Sequence, residues 1–165
     1  MPDLFTPRLQ LHPIDVAEGE RIHTRTAGPT DTWVDDFPFD GDVAAAGAFL
    51  RTSTALGQQQ PFGYYRITRR SDGKAVGGIG FKGQPQHGSV EIGYGLAGSA
   101  RGHGYAAEAV LALLAIAAGH GLSRVLADTD RANVASQRTL TRAGFHRVRA
   151  EGEVLFYEVQ LATGR

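Results

Sequence analysis

Large hydrophobic residues recur along the chain at two spacings, which predict alternating strands and helices. In residues 90–96 every second residue is large, which is the period of a β-strand. In residues 105–118 the apolar residues follow the helical spacing, and Gly119 supplies a stop signal. A strand followed closely by an apolar helix is therefore predicted near the middle of the chain.

The same patterns assign the remaining elements. Strands are predicted at residues 6–13, 62–68, 74–81, 124–129, 145–149 and 154–159, and helices at about 15–26, 42–57 and 134–143. The order is β-α-α-β-β-β-α-β-α-β-β. Because strand 124–129 follows a strand and a helix, it should lie parallel to strand 90–96. With no repeat or linker, residues 1–165 are expected to form one domain.

Composition limits the classes of function. Lys plus Arg and Asp plus Glu both number 17 among 165 residues, so we expect no nucleic-acid or membrane partner. The chain has no cysteine, which excludes disulfides and a cysteine nucleophile. Its six histidines show no ligand spacing, so no metal is expected. We see neither a signal-peptide pattern nor an 18-residue apolar run, and therefore expect a cytoplasmic protein.

A glycine-rich turn joins the central strand to the central helix. Gly102 and Gly104 allow turn angles and close approach of a ligand, and the first amides of a helix attract anions. A phosphate or pyrophosphate is the expected ligand. The alternative is that the glycines only shape a tight connection. A P-loop is excluded because Gly104 is followed by Tyr105, where that motif needs Lys and then Ser or Thr.

Several motifs in sequence resemble one family. Arg101-x-x-Gly104-x-Ala106 after a strand is similar to the acyl-CoA-binding signature of the GNAT acetyltransferase superfamily. Residues 6–11 and the run from Asn133 to Phe145 resemble its branch of ribosomal-protein N-terminal acetyltransferases. The resemblance implies an α/β (α+β) GNAT fold. That fold has a mixed, mostly antiparallel sheet of about seven strands and about four helices, with a cleft where two parallel strands splay apart.

The resemblance also implies a binding site for acetyl-CoA. In the family the pantetheine arm pairs with the exposed backbone of the first parallel strand, here at Tyr94, Gly95 and Leu96. The pyrophosphate lies on the turn that begins at Arg101, against the amides of Gly102, His103, Gly104, Tyr105 and Ala106. Asn133 and Ser136 would hydrogen-bond the arm from across the cleft; the alternative is that Asn133 caps a helix and Ser136 is a surface residue. One arginine among Arg138, Arg142, Arg147 and Arg149 could contact the coenzyme's 3′-phosphate.

Direct acetyl transfer needs a neutral amine and a proton for the leaving thiolate. Glu91, the only acid on the central strand, is the predicted base, because family members place a carboxylate there. The alternative is that Glu91 is only a solvated glutamate on the strand surface. Glu151 and Glu153 are the other candidates for the base. Many relatives use a tyrosine acid at the position of Leu140, so Ser136, Tyr94 or water must supply the proton here.

The sequence therefore predicts an N-acetyltransferase acting on a primary amine, preferably a protein N-terminal α-amine. Alternatives are a small-molecule amine acceptor or a catalytically idle acyl-CoA-binding module. Aromatic residues at 33–39 either pack in a minor core or form a wall of the acceptor pocket. The expected partners are acetyl-CoA and the acceptor, and the expected state is a monomer or homodimer.

Overall fold

A computed structural model describes residues 1–162, so the last three residues of the predicted domain lie outside it. The described residues form one sheet and four α-helices, α1 Val16–Thr24, α2 Asp40–Leu56, α3 Tyr105–Gly119 and α4 Val134–Arg142, besides the short 3-10 helix Gly98–Ala100. The strands are β1 Leu4–Phe5, β2 Leu9–Pro13, β3 Tyr64–Arg69, β4 Ala75–Phe81, β5 Ser89–Leu96, β6 Arg124–Asp130, β7 His146–Glu151 and β8 Val154–Gln160. This confirms the predicted element types and order.

The eight strands are arranged β1-β2-β3-β4-β5-β6-β8-β7. Neighbours are antiparallel except β5 and β6, which are parallel. The predicted mixed, mostly antiparallel sheet is therefore confirmed. There is one strand more than expected because Leu4 and Phe5 pair with Leu11 and Gln10. Two residues are too few to show an alternating pattern in the sequence.

The two parallel strands separate towards their carboxyl ends. Cα partners join residues 89–91 of β5 to residues 124–126 of β6, and the paired register ends there. The second half of β5, from Ile92 to Leu96, pairs only with β4 on its other side. This half therefore presents a backbone edge without a strand partner. The predicted cleft between splayed parallel strands is confirmed.

Helices lie against both faces of β5. Alternate side chains of a strand point to opposite faces. Phe39, immediately before α2, covers Gly95 on one face, while Tyr94 reaches Ser136 of α4 on the other. Helix α3 packs beside α4 and buries Val110 and Leu113 completely. The open edge of β5 is thus flanked by α2 on one face and α4 on the other.

The glycines inside β4 permit close packing, as predicted for a strand with interior glycines. A Cβ atom at Gly78 would overlap the hydroxyl group of Tyr64. A Cβ atom at Gly77 would overlap the carbonyl oxygen of Gly95 on the neighbouring strand. Every residue of β4 is buried. Among residues 1–162, no helix combines the length and apolarity needed to cross a bilayer.

Candidate active site

Two cavities meet beside the open half of β5. The larger has a volume of about 820 Å³ and the smaller about 310 Å³. The larger cavity lies mainly on the α2 face, and the smaller lies between the glycine-rich turn and α4. Five residues line both cavities: Tyr94, Gly95, Arg101, Asn133 and Ser136. All five are residues that the sequence analysis selected, so the structure brings the predicted site together at the junction of the two cavities.

The glycine-rich turn forms part of the wall of the smaller cavity. Gly102 and Gly104 have φ angles of +86° and +80°, which residues with a side chain rarely adopt. Gly104 is the N-cap of α3, and Tyr105 and Ala106 form the first turn that lines the cavity. The first amides of a helix have no acceptor within the helix, and its dipole favours an anion there. The turn therefore has the geometry of a phosphate site.

Arginine side chains add positive charge beside the turn. The guanidinium nitrogens of Arg8 and Arg142 lie 3.4 Å and 3.6 Å from the position of a Cβ atom on Gly104. Arg8 also donates to the His103 carbonyl over 2.7 Å and pairs with Glu108 over 2.8 Å. The sequence analysis did not select Arg8, because nothing in the sequence brings residue 8 next to residue 104.

Of the other residues predicted to bind the coenzyme, some line the smaller cavity and some do not. Leu96 is buried, and the Arg101 side chain donates to its carbonyl group over 3.3 Å. His103 does not line the smaller cavity, and its ring lies 5.4 Å from that of Tyr105. Of the four arginines in the predicted basic cluster, Arg138 and Arg142 line this cavity. The other two belong to the exposed strand β7.

Tyr94 and Ser136 connect β5 to α4 across the gap. Their hydroxyl groups share a hydrogen bond of 2.9 Å, and the Tyr94 hydroxyl also donates to the Ser136 carbonyl over 3.2 Å. Burial raises the pKa of Tyr94 to about 12, so this hydroxyl keeps its proton at neutral pH. Two protonated hydroxyls therefore lie at the junction of the cavities.

Asn133 caps helix α4 and also faces both cavities. It is the N-cap of α4, and its Oδ1 atom accepts the backbone N–H of Ser136 over 3.1 Å. The helix-capping alternative is therefore correct. The same side chain lines both cavities, which leaves its amide group available to a ligand.

Glu91 lies in the paired half of β5, opposite Leu126. Its carboxylate is 3.2 Å from the Lys82 ammonium group, which in turn lies 3.9 Å from Asp128. Lys82 and Asp128 line the larger cavity, whereas Glu91 does not. The rivals Glu151 and Glu153 also lie outside that lining. Glu91 therefore lies where β5 and β6 are still paired, and Lys82, its ion-pair partner, lines the cavity.

The larger cavity has aromatic walls and one buried acid. The aromatic residues lining it are Phe39, Phe49, Phe62, Tyr64, Phe81 and Tyr94. Asp42, in the first turn of α2, accepts a hydrogen bond from the Tyr64 hydroxyl over 3.2 Å. The sequence analysis did not select Asp42 or Tyr64. The sequence feature that could have indicated Asp42 is its position at the start of a helix, directly after the aromatic loop.

The aromatic loop before α2 contributes both to the core and to the wall of the larger cavity. Phe37 is buried and packs edge-on against Trp33, with ring centroids 5.4 Å apart. Phe39 forms a wall of the larger cavity. Leu140, at the position where the resemblance implies a tyrosine acid, is fully buried in the core. A hydroxyl group from that position of α4 is thus absent.

A family model matches residues 8–146 of the chain, and its description is acetyltransferase (GNAT) domain. The chain therefore belongs to this acetyltransferase family, which confirms the family predicted from the sequence. The matched region includes the five residues that line both cavities and all four helices.

Individual relatives agree with this assignment. YjdG of Bacillus subtilis strain 168, described as an uncharacterized N-acetyltransferase, is 36% identical over 86 residues, which are 51% of each chain. The match thus spans about half the length of that relative. The crystal structure of an acetyltransferase from Agrobacterium tumefaciens strain C58 is 26% identical and has a TM-score of 0.66, covering 96% of this chain and 94% of that one. A RimL structure, a ribosomal L7/L12 alpha-N-protein acetyltransferase in complex with coenzyme A, shares the fold with 18% identity. Its TM-score is 0.70, and the match covers 97% of this chain and 98% of the other.

Proposed function

We propose that the protein transfers the acetyl group of acetyl-CoA to a primary amine. The observation that carries this proposal is the open edge of β5, which ends in the anion-binding turn and separates two cavities. An amide-bearing pantetheine arm can pair with that edge, as an added strand would. The pyrophosphate then reaches the amides at Gly104, and the acetyl group reaches the junction of the cavities.

The hydroxyl groups of Tyr94 and Ser136 can protonate the thiolate that leaves in this reaction. When the amine nitrogen forms its bond to the thioester carbon, the carbon–sulfur bond breaks and the sulfur leaves as a thiolate. Tyr94 and Ser136 can each donate a proton or a hydrogen bond at this point. The amine also has to lose a proton, and Glu91 is the acceptor predicted from the sequence. The structure pairs Glu91 with Lys82 over 3.2 Å and leaves it outside the lining of the larger cavity.

We further propose that the preferred acceptor is an α-amine at the N-terminus of a protein or peptide. An unperturbed α-amine has a pKa of about 7.7–8.0, whereas that of lysine is about 10.4. Near pH 7.5, roughly a quarter or more of the first is neutral, against about one part in a thousand of the second. The RimL neighbour, named as an alpha-N-protein acetyltransferase, supports the same acceptor class.

Acetyl transfer is tested by measuring the free thiol of coenzyme A that the reaction releases. Mass spectrometry of the products then locates the acetyl group. The acceptors are peptides with a free N-terminus, the same peptides with a blocked N-terminus and an internal lysine, and small alkylamines. We expect acetylation mainly at free N-termini. Acetyl groups mainly on internal lysines would overturn the acceptor, and coenzyme binding without transfer to any amine would favour the idle binding module.

A further inference from the structure

Asp42 is a buried carboxyl group in the wall of the larger cavity. The residue is 2% exposed. Its Oδ1 atom accepts the Tyr64 hydroxyl and its Oδ2 atom accepts the Phe39 backbone N–H, each over 3.2 Å. The second contact helps to start α2, but backbone capping alone is commonly done by exposed side chains. Burial of the group beside a cavity needs a further reason.

This carboxyl group differs from the other buried acids of the protein in its surroundings. Glu18 pairs with Arg66, and Asp31 pairs with Arg21 over 2.6 Å. Within residues 1–162, no nitrogen of Lys, Arg or His lies within 4.0 Å of the carboxylate of Asp42. Buried acids are almost always paired. A cation that enters the cavity would supply the missing partner.

Burial has a consequence for the chemistry of this group. It raises the pKa of Asp42 to about 7. An acid–base group is most effective when its pKa lies near the working pH. The group is therefore both partly ionised at neutral pH and able to hold a proton.

The position of Asp42 relative to β5 is set by glycines. The hydroxyl group of Tyr64 occupies the space above Gly78, where a side chain would otherwise stand. Gly78 pairs with Gly95 of β5, and the Phe39 ring covers Gly95 on the same face, with Cζ 2.5 Å from the position of a Cβ atom. The Tyr64 hydroxyl is therefore about one strand spacing, roughly 5 Å, from the backbone proposed to hold the coenzyme arm. Asp42 lies one hydrogen bond of 3.2 Å from that hydroxyl.

We propose that Asp42 binds the acceptor amine and takes up its proton, and that the acceptor carries an apolar group. This rests on the proposed function, and it gives Asp42 the task that the sequence analysis assigned to Glu91. The apolar group of the acceptor follows from the cavity walls, because these apolar side chains line the same cavity as the acid: Phe39, Ala45, Ala48, Phe49, Phe62 and Phe81.

The protons of the reaction balance under this assignment. The acceptor arrives as an ammonium ion with three protons on nitrogen. One passes to the Asp42 carboxylate and then to solvent, one stays on the nitrogen of the amide product, and one ends on the sulfur of coenzyme A. The nitrogen electron pair forms the new carbon–nitrogen bond, and the electrons of the broken carbon–sulfur bond remain on sulfur.

The experiment uses L-phenylalaninamide and L-asparaginamide, two α-amines that differ in the polarity of the side chain. We expect the wild type to prefer phenylalaninamide by about tenfold or more in kcat/KM, because burying an apolar side chain is favourable. Asp42→Asn should lower kcat by on the order of a hundredfold at pH 7.5. It should also abolish the rise of kcat through about pH 7, while leaving the dissociation constant of acetyl-CoA unchanged.

Two further variants make the assignment specific. Asp40→Asn changes a fully exposed acid in the same helical turn and should leave all constants unchanged. Tyr64→Phe keeps the Asp42 carboxylate but removes a hydrogen bond that favours its ionised form, so the rise of kcat should move to higher pH. Tyr64 on β3 is the titratable group that bonds to Asp42 directly, and the charge of Glu18 on α1 lies near that tyrosine. His23 on α1 contacts the carbonyl group of Val43, the residue after Asp42, and Lys82 after β4 lines the same cavity.

A folded Asp42→Asn protein with wild-type kcat, KM and pH profile would overturn the proposal. So would loss of the rising limb in Glu91→Gln with its retention in Asp42→Asn. Binding of phenylalaninamide to the protein loaded with coenzyme A, followed by NMR, gives a readout that needs no turnover. We expect Asp42→Asn to weaken this binding about tenfold or more. If no amine is acetylated, the proposed function fails, and equal binding to wild type and Asp42→Asn would overturn the role of Asp42 separately.

Discussion

At the scale of single residues, backbone conformation and burial decide which positions of the site tolerate change. Gly104 has a left-handed backbone, and its missing side chain leaves room between Arg8 and Arg142. The importance of Gly104 could be predicted from the sequence, because a glycine at a strand-to-helix turn has a local cause. The position of Arg8 beside Gly104 and the isolation of Asp42 depend on residues far apart in the chain, which no local pattern reveals.

Replacing Gly104 with valine should weaken the binding of acetyl-CoA about tenfold or more, equivalent to about 1.4 kcal/mol or above. The side chain strains the left-handed backbone and blocks the approach of a phosphate to the amides. Calorimetric titration of the folded variant measures this effect. Gly121→Val is the matched control, because Gly121 has a φ angle of +75° and lies outside both cavities. Equal affinities in the wild type and Gly104→Val would contradict the assignment of the turn.

Asp42 should make the stability of the protein depend on pH. Burial raises its folded-state pKa from 3.8 to about 7, so the contribution of this group to stability is full below about pH 4. That contribution is lost as the pH rises through about 7, a change on the order of 4 kcal/mol. Asp42→Asn cannot ionise and should therefore gain stability relative to the wild type between pH 4 and pH 8. Urea unfolding at both pH values tests this, and Asp40→Asn should show no comparable gain.

At the scale of elements, helix α4 carries the side of the cleft that faces β5. Asn133 starts the helix, and Ser136, one turn later, bonds to Tyr94. The positions of strands and helices followed from hydrophobic spacing, which is a local property of the chain. The sequence allowed both a capping and a binding function for Asn133, because the residue types of helix caps and of amide-binding sites overlap. The structure shows the cap and places the same side chain in the cavity wall.

Two substitutions at Asn133 separate these functions. Asn133→Ala should lower the free energy of unfolding by about 1 kcal/mol, because the helix loses its cap. It should also weaken coenzyme binding by about 1 kcal/mol through one lost hydrogen bond. Asn133→Ser retains a capping oxygen but lacks the amide donor. We therefore expect it to keep the stability and lose the affinity, as measured by urea unfolding and calorimetry. Wild-type affinity in both variants would show that Asn133 only caps the helix.

At the scale of the whole molecule, the parallel strands β5 and β6 divide the site into two compartments. One compartment holds the positive charge and the glycine-rich turn, and the other has aromatic walls around Asp42. Tyr94 and Ser136 lie where the compartments meet. The family resemblance selected the residues around the glycine-rich turn, because they form contiguous motifs. On the other side the sequence indicated only the aromatic loop that contains Phe39. The rest of that side is assembled from α2, β3, β4 and β5, which are joined only in the folded sheet.

The central claim is that acetyl-CoA lies along the open edge of β5 with its pyrophosphate on the turn before α3. Amide hydrogen exchange, measured with and without acetyl-CoA, tests this claim most directly. We predict slower exchange at residues 94–96 and 102–106, because the coenzyme would pair with or cover these amides. The hairpin of β7 and β8 serves as an internal reference and should exchange at the same rate in both states. Unchanged exchange at residues 94–96 and 102–106 under saturating acetyl-CoA would contradict the account.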